Sequence, residues 1–248
     1  MTKPGADSAR RAIEVLFAFE HRPVSTVREV SERTGLPLPT AHRYVALLRE
    51  MGLVEEARHG GYRLTMRVAA LGYAAREATS LIDVVQPHMQ AFSDETQETI
   101  LLIQPVAGLP VCTHRIEARQ RLRLSFEIGQ HLPALRGASA RLLLAGFDET
   151  ARREYVRDAL ARGERPPVEG VEQFLADVAE VATAGWTASS EEIDEGVWSA
   201  AASIRSEGKP VGTLSAPCPA FRIDDEKAAV IIELVRRTAD RINSALGS

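Results

Sequence analysis

The chain has only two cysteines among its 248 residues, Cys112 and Cys218, and they lie far apart. Two cysteines without a C-x-x-C spacing exclude a disulfide framework and a structural zinc site built on paired thiolates. We therefore expect a reduced, cytoplasmic protein.

Long apolar runs are also lacking. Runs such as LLLAGF at 142–147 fall far short of the ~20 apolar residues that a membrane helix needs. The first thirty residues contain no signal-peptide pattern, because Glu14 and Glu20 interrupt the apolar stretch. The sequence predicts no membrane partner.

Familiar catalytic and metal-binding motifs are missing as well. The sequence contains no G-x-S-x-G elbow, no phosphate-binding glycine loop and no H-E-x-x-H, and its six histidines have no metal-ligand spacing. We expect no metal and no cofactor. The acidic run SSEEIDEG at 189–196 keeps an acid–base enzyme in the C-terminal part as an alternative, but no histidine lies beside it in sequence. We interpret this run as a solvated loop.

The charge is distributed unevenly. Residues 1–79 carry 12 Lys+Arg against 9 Asp+Glu, a net charge of +3, within a chain that carries 30 against 34. The remaining residues therefore have a net charge of −7. A more basic N-terminal part is compatible with contact to nucleic acid.

Apolar spacing predicts a helix over 8–20 and a second, shorter helix over 26–34. Thr26 followed by Glu29 matches a capping box at the start of the second helix, and Gly35 is typical of a helix end. These signals define two short helices joined to a third by a glycine turn.

The third helix is predicted to run from about Pro37 to Met51. Pro37 and Pro39 are tolerated at its start because the first turn of a helix has no intrahelical acceptors for its N–H groups. A hairpin with its tip at 59–61 follows in the stretch ARHGGYRL. Three helices followed by a hairpin predict a winged helix-turn-helix domain over 1–65.

The third helix has an apolar face and a polar face. The apolar side, expected to face the core, consists of Ala41, Tyr44, Val45, Leu48 and Met51. The polar side, whose leading half is nearly free of acids, consists of Pro39, His42, Arg43, Ala46, Arg49 and Glu50. We expect that half to enter the major groove of DNA.

The candidate DNA-binding residues come from the helix-turn-helix and the hairpin, or wing. They are Thr26, Leu38, Pro39, Thr40, His42, Arg43, Arg58, His59 and Arg63. The alternative is that this polar face is only a solvated surface of a protein-interaction scaffold. Steep salt dependence of binding would distinguish DNA contact from that alternative.

The rest of the chain mixes helices and strands. A linker helix is predicted over 66–79, with helix continuing to about 97 and breaks near Ser80 and Pro87. Predicted strands cover 99–106, 109–117, 121–128, 197–204 and 211–217, and predicted helices cover 138–146, 149–161, 171–184 and a last segment from Asp224 to Leu246. This order predicts an α+β domain with an antiparallel sheet over 80–248.

Four segments, in the right order, resemble the IclR-type transcriptional regulators. GLPLPTAHRYVALLREMGLVEE, with the following GGYRL, is similar to their winged-helix domain, and Pro39 occupies the place of a usual serine. GQHLPALRGASARLLLAG, SSEEIDEGVWSAAASI and GTLSAPCPAFRI are similar to three segments of their C-terminal domain. The resemblance covers almost the whole chain.

The resemblance implies a GAF-like effector domain with a pocket between the sheet and the helix after Pro133. The implied effector residues are Gly137, Ala138, Ser139, Ala140, Ser190, Ser199 and Ser215, with Pro217 where a second serine is common. Trp198 either walls the pocket or lies on the opposite face of its strand, because it alternates with Ser199. Arg136 is a candidate partner for an anionic effector.

Together these features predict a one-component transcriptional regulator, more specifically a repressor. Its partners would be double-stranded operator DNA and a small organic or aromatic acid. We expect a homodimer or homotetramer, with Val68, Leu71 and Tyr73 of the linker helix as candidate dimer contacts.

Overall fold

The computed structural model describes residues 4–20, 22, 24–57, 60–77, 81–121 and 123–247. The chain divides into two compact units, residues 1–80 and 81–248. The first unit thus includes the whole of the segment that we predicted as a linker helix, 66–79.

The first unit is a winged helix-turn-helix. Its elements are α1 (Pro4–Phe17), α2 (Val27–Thr34), α3 (Leu38–Glu50), β1 (Val54–Glu56), β2 (Tyr62–Leu64) and α4 (Met66–Glu77). The two strands pair antiparallel, with Glu55 opposite Arg63. One apolar cluster joins α1, α2 and α3, and it includes Val15, Val30, Ala41, Val45 and Leu48.

Three apolar residues of this unit are exposed although the helical pattern predicts them to face the core: Met51 of the third helix, and Ile13 and Phe17 of the first helix, whose predicted apolar face is Ile13, Leu16 and Phe17. Met51 was expected in the core but is 52% exposed, because α3 ends at Glu50 and Met51 belongs to the turn that follows. Phe17 is 55% exposed, whereas Val15 and Phe19 are buried. The inward side of α1 is therefore the Val15 side, and Phe19 packs inward from the turn after the helix.

The second unit is built on an antiparallel sheet. Its elements are α5 (Leu81–Thr96), β3 (Ile100–Val106), β4 (Leu109–Ile116), α6 (Ala138–Ala145), α7 (Glu149–Ala161), α8 (Val171–Ala184), β5 (Trp186–Ser190), β6 (Val197–Ser206), β7 (Lys209–Pro219), a 3-10 turn (Ala220–Arg222) and α9 (Asp225–Ala245). Within the described residues the strand order is β4-β3-β7-β6-β5. The α+β fold class with an antiparallel sheet is confirmed.

The two faces of this sheet have different partners. On one face, α5 and α9 cover the apolar side chains of alternate sheet residues, including Leu102, Ala200 and Leu214. On the other face, which we call the cavity face, α6 packs against Ala201 through Ala138 and Leu142. Because side chains alternate along a strand, Leu101, Ser199 and Ser215 also point to the cavity face.

The predicted strand over 121–128 is wrong. Residues 123–127 are irregular, and the outer edge of β4 pairs instead with the following turn, where Cys112 N–H donates to Gln130 O at 3.0 Å and Leu132 N–H to Pro110 O at 2.9 Å. The alternation of apolar residues in this segment still has a structural reason, because Phe126 packs inward against the cluster around Ile103.

The predicted break at Pro87 is also wrong, and α5 continues through it. Pro87 and Asp83, whose carbonyl loses the i→i−4 hydrogen bond, are both exposed, so water can hydrate that carbonyl. Val85 and Met89 are fully buried and hold the helix on the sheet. Ser80, the other predicted break, lies outside the described residues, between the end of α4 and the start of α5.

Candidate functional site

The turn that presents α3 is fixed by hydrogen bonds at both ends of α2. Thr26 N–H donates to Glu29 Oε2 at 2.8 Å, and Glu29 N–H donates to Thr26 Oγ1 at 3.3 Å, which is the predicted capping box. These bonds to Thr26 also lower the pKa of Glu29. Gly35 ends α2 with a φ of 65°, a left-handed conformation that suits glycine.

The hydroxyl and N–H of Thr26 already form this cap. Thr26 therefore has a structural role in addition to any contact with phosphate.

The leading end of α3 is open to solvent. Leu38 and Pro39 form its first turn and are exposed, and His42 and Arg43 are exposed one turn later. Thr40 is half-buried.

Arg43 is an exposed cation near the leading end of α3. Its guanidinium carbon lies 5.3 Å from the ring centroid of Tyr44, a cation–π arrangement that orients the side chain. The Tyr44 hydroxyl is in turn 3.2 Å from Ser8 Oγ. Among the described residues Arg43 has no carboxylate partner within salt-bridge distance.

Two other arginines of this unit are paired with acids. Arg63 on the wing donates to Glu55 across the hairpin at 2.7 Å, and Arg49 pairs with Glu56. Arg58 and His59, two of the predicted DNA-binding residues, lie outside the described residues. Unlike Arg49 and Arg63, Arg43 has no carboxylate neighbour among the described residues that offsets its charge.

A second site is a cavity between the cavity face and α6. It contains about 530 Å³ of empty space, including the part that opens to solvent. Its apolar lining residues are Leu101, Ile103, Pro110, Phe126, Leu132, Pro133, Ala138, Ala140, Ile193, Val197 and Pro217. Its polar lining residues are Arg136, Ser139, Ser189, Glu192, Asp194, Ser199 and Ser215.

Six of the predicted effector residues line this cavity. They are Ala138, Ser139, Ala140, Ser199, Ser215 and Pro217. Gly137 caps α6 at its edge, with a φ of 87°, and an added Cβ there would lie 2.6 Å from Ile193 Cδ1.

The structure places Ser190 and Trp198 elsewhere. They are opposite each other in the β5–β6 register, and Trp198 packs on the opposite face with the α5–α9 cluster. The neighbouring pair Ser189 and Ser199 points into the cavity instead. The residue that sequence reasoning should have chosen is therefore Ser189, whose hydroxyl accepts from Ala138 N–H at 3.2 Å.

Sequence reasoning also missed the loop between β5 and β6. Glu192, Ile193 and Asp194 all line the cavity, although the acidic run was interpreted as a solvated loop. The signal available in the sequence was Ile193, an apolar residue inside an acidic run, which indicates that one side of the loop is covered.

The serine hydroxyls of the cavity differ in their partners. Ser199 Oγ and Ser215 Oγ are 3.0 Å apart and share a hydrogen bond. Ser139 is only 8% exposed, and its Oγ has no hydrogen-bond partner among the described residues. A buried hydroxyl without a partner is unusual and favours a ligand that would supply one.

A buried ion pair closes the cavity at the start of α6. Both carboxylate oxygens of Glu192 lie 2.8 Å from Arg141 Nη1, and Glu192 Oε2 also accepts from Gly137 N–H at 2.8 Å. Arg141 Nη2 donates to Ala188 O at 2.9 Å. The Arg141 and Glu192 side chains are 9% and 15% exposed, so this pair ties the β5–β6 loop to α6.

Neither site has the features of a metal centre or a membrane anchor. No group of three or more His, Cys, Asp or Glu side chains within the described ranges is arranged to hold a metal ion. In the same ranges no helix has the length and apolarity needed to cross a bilayer.

Comparison with known families matches both units. Residues 8–58 match the IclR helix-turn-helix domain, and residues 73–244 match the C-terminal domain of the bacterial transcriptional regulator IclR.

Individual relatives agree over nearly the full chain. The chain is 24% identical to the HTH-type transcriptional regulator KipR of Bacillus subtilis over 239 residues, covering 96% of each chain. It is 24% identical to the HTH-type transcriptional repressor AllR of Escherichia coli over 251 residues, covering 100% of this chain and 93% of the relative.

A solved structure of an IclR homologue from Microbacterium hydrocarbonoxydans, in complex with 4-hydroxybenzoate, matches with a TM-score of 0.79 and 25% identity. That match covers 96% of this chain and 98% of the homologue. With a helix-turn-helix that exposes its third helix, a C-terminal domain that contains a cavity, and matches to the family over both units, the chain belongs to the IclR family of DNA-binding transcriptional regulators.

Proposed function

We propose that this regulator holds operator DNA through the leading end of α3 and releases it when a small organic effector occupies the cavity at α6. The observation that carries the effector half of this proposal is the buried, unpartnered hydroxyl of Ser139 within an apolar cavity. A ligand can regulate only if it binds one conformation or assembly better than another.

The chemistry at the leading end of α3 suits a major groove. An arginine there can donate two hydrogen bonds to guanine, and an apolar side chain can contact a thymine methyl. Arg43 supplies the first and Leu38, which is 40% exposed, supplies the second. The Thr40 hydroxyl, His42 and the Leu38 N–H would contact phosphates, since Pro39 has no N–H and Thr40 N–H already donates to Pro37 O at 2.8 Å.

The cavity fits a compact apolar molecule that carries a small number of polar groups. Phe126, Leu101 and Ile103 would cover its body, while Ser139, Ser199 and Ser215 would meet its polar atoms. The 4-hydroxybenzoate bound by the Microbacterium homologue has this size and shape, which supports an aromatic effector here.

The assembly we propose is a dimer on a palindromic operator, acting as a repressor in the cytoplasm. Leu71 of α4 is 62% exposed and Val68 is half-buried, so both are available for a contact between copies. The side chain of Tyr73, the third predicted contact, lies outside the described part of the chain. The repressor role is supported by the name of the AllR relative.

An operator titration tests the DNA half. The DNA upstream of the protein's own gene should bind at low salt, and for a dimer that contacts about six phosphates affinity should fall about 10³-fold between about 50 and about 200 mM salt. Failure to bind at low salt would contradict DNA regulation and favour the scaffold alternative.

A ligand screen tests the effector half. Small aromatic acids, alcohols and phenols are added while the melting temperature and the operator affinity are followed. An effector should raise the melting temperature and lower the operator affinity. It should also be recovered unchanged after incubation. Conversion of the compound to a product would instead support the enzyme alternative.

A further inference from the structure

The end of the cavity that would receive an acid already holds a carboxylate of the chain itself. Glu192 Oε2 accepts from Gly137 N–H at 2.8 Å, at the N-terminus of α6, where backbone N–H groups and the helix dipole favour an anion. A ligand carboxylate at this position would have to displace Glu192 or lie beside it.

Displacement is opposed by the ion pair. Glu192 binds Arg141 through both carboxylate oxygens, and Arg141 is itself fixed on Ala188 O. Both side chains are largely buried, and removing one partner of a buried pair leaves an uncompensated charge. Glu192 is therefore expected to remain in place.

The charges around the rest of the cavity do not offset a ligand carboxylate. Asp194, two residues further along the same loop, is a second acid in the lining. Arg136 is the lining cation, but its side chain is exposed and its Nε donates to Arg165 O at 3.2 Å. A carboxylate in the cavity would meet like charges, which disfavours its ionised form.

The polar groups that remain suit a hydroxyl. Ser139 Oγ is buried without a partner, and the Ser199–Ser215 pair can accept and donate one further hydrogen bond. Each of these hydroxyls is both a donor and an acceptor, as is the hydroxyl of a phenol or an alcohol, so the two can pair without any net charge.

From this arrangement we propose that the effector is an uncharged, hydroxyl-bearing compound with an aromatic-sized apolar body, and that Glu192 discriminates against carboxylates. This inference rests on the proposed function of the cavity as the effector site. It replaces the acid expected from the sequence with a neutral ligand, because the Gly137 N–H at the helix start already binds a carboxylate of the chain itself.

Three probes of matched shape test the ligand class on the wild-type protein. They are 4-hydroxybenzyl alcohol, the methyl ester of 4-hydroxybenzoate and 4-hydroxybenzoate itself, each titrated by calorimetry near neutral pH. The alcohol is expected to bind at least about tenfold more tightly than the carboxylate, and the ester to bind more tightly than the carboxylate as well. Equal or tighter binding of 4-hydroxybenzoate would overturn the inference.

Two variants test the role of Glu192. Glu192→Gln keeps the shape of the side chain and should narrow the alcohol-to-carboxylate ratio by about tenfold. Glu195→Gln removes an exposed acid from the same loop, outside the cavity lining, and should leave the ratio unchanged. An unchanged ratio in Glu192→Gln would remove Glu192 as the discriminating residue.

Circular dichroism and operator binding show whether Glu192→Gln is folded, and the wild-type comparison decides the ligand class even if it is not. If the carboxylate binds most tightly of the three probes and also releases the operator, the inference is overturned and the proposed function remains intact. Binding by none of the probes, with operator binding preserved, would overturn the inference as well. Absence of operator binding at low salt would count against the proposed function itself.

Discussion

The hydroxyl of Ser139 lies in the wall of the cavity without a hydrogen-bond partner among the described residues. Such a group costs desolvation free energy in the empty protein, and that cost is recovered only when a ligand bonds to it. At the scale of single residues, replacing Ser139 should therefore lower the affinity for the ligand without lowering the stability of the ligand-free protein.

Ser139→Ala should leave the free energy of unfolding of the ligand-free protein unchanged or raise it by up to about 1–3 kcal/mol. Affinity for a hydroxyl-bearing effector should nevertheless fall by about tenfold. Ser199→Ala is the matched control, because it deprives the buried Ser215 hydroxyl of its 3.0 Å partner and should destabilise the free protein. Urea unfolding and calorimetry measure both quantities, and a large destabilisation by Ser139→Ala would contradict the prediction.

Arg43 is the corresponding residue of the DNA-binding surface. Arg43→Ala should weaken operator binding by about 1–3 kcal/mol if the guanidinium makes a bidentate base contact. Arg63→Ala is the comparison, and a smaller loss is expected because Arg63 is already paired with Glu55. Fluorescence anisotropy with labelled operator measures both losses, and retained affinity in Arg43→Ala would remove it from the contacts.

The start of α6 shows how one element depends on a single glycine. Gly137 has φ 87° and ψ 160°, a conformation that is nearly restricted to glycine. In addition, Ile193 Cδ1 lies 2.6 Å from the place of its missing Cβ. The glycine therefore lets the β5–β6 loop lie directly on the helix start.

Replacing a left-handed glycine that has no close neighbours lowers the free energy of unfolding by roughly 1 kcal/mol. Gly137→Ala should lower that of the second unit by more than this. Gly185→Ala is the control, because Gly185 has φ 73° at the end of α8 and nothing within 4 Å of a new Cβ. Thermal melts of both variants provide the comparison. Equal destabilisation would mean that Ile193 moves aside without cost.

The sequence predicted the helices of this fold better than its strands. Local signals identify α2 and α9 directly, because the caps at Thr26 and Asp224 are interactions between residues close in the chain. The segment 121–128 has the alternation of a strand but lacks a strand partner, since the edge of β4 is taken by the turn after it. Long-range pairing of this kind leaves no local trace.

The same reason explains the one-residue error in the cavity. Ser190 and Ser189 are neighbours with the same side chain, and only the β5–β6 register determines which of them faces α6. The family resemblance implied Ser199 and Ser215 as effector residues, and both line the cavity. The Glu192–Arg141 pair joins residues 51 positions apart, which local spacing does not reveal.

For the molecule as a whole, the family was predictable because four segments of the sequence carry it in order. The linker helix was predicted to end at residue 79, from the break near Ser80, and contacts divide the chain after residue 80. The two thiols both belong to the second unit and are buried there. Burial raises the pKa of Cys112 to about 11 and that of Cys218 to about 12.

These thiols should report on opening of the second unit and on its ligand. The thiolate is the reactive form, so at pH 8 both cysteines should react with a thiol reagent only when the protein opens. An effector at about 100 times its Kd should slow that reaction by about 100-fold. The pKa values of both thiols in the folded protein exceed the unfolded value of about 8.5. Their contribution to the stability of the folded state is therefore fully present below about pH 8.5 and is lost as the pH rises towards 11 and 12. Cys112→Ala, which keeps Cys218 as the single reporter, should show the same slowing by effector. Fast labelling of Cys218 that is insensitive to effector would contradict its burial in the folded unit.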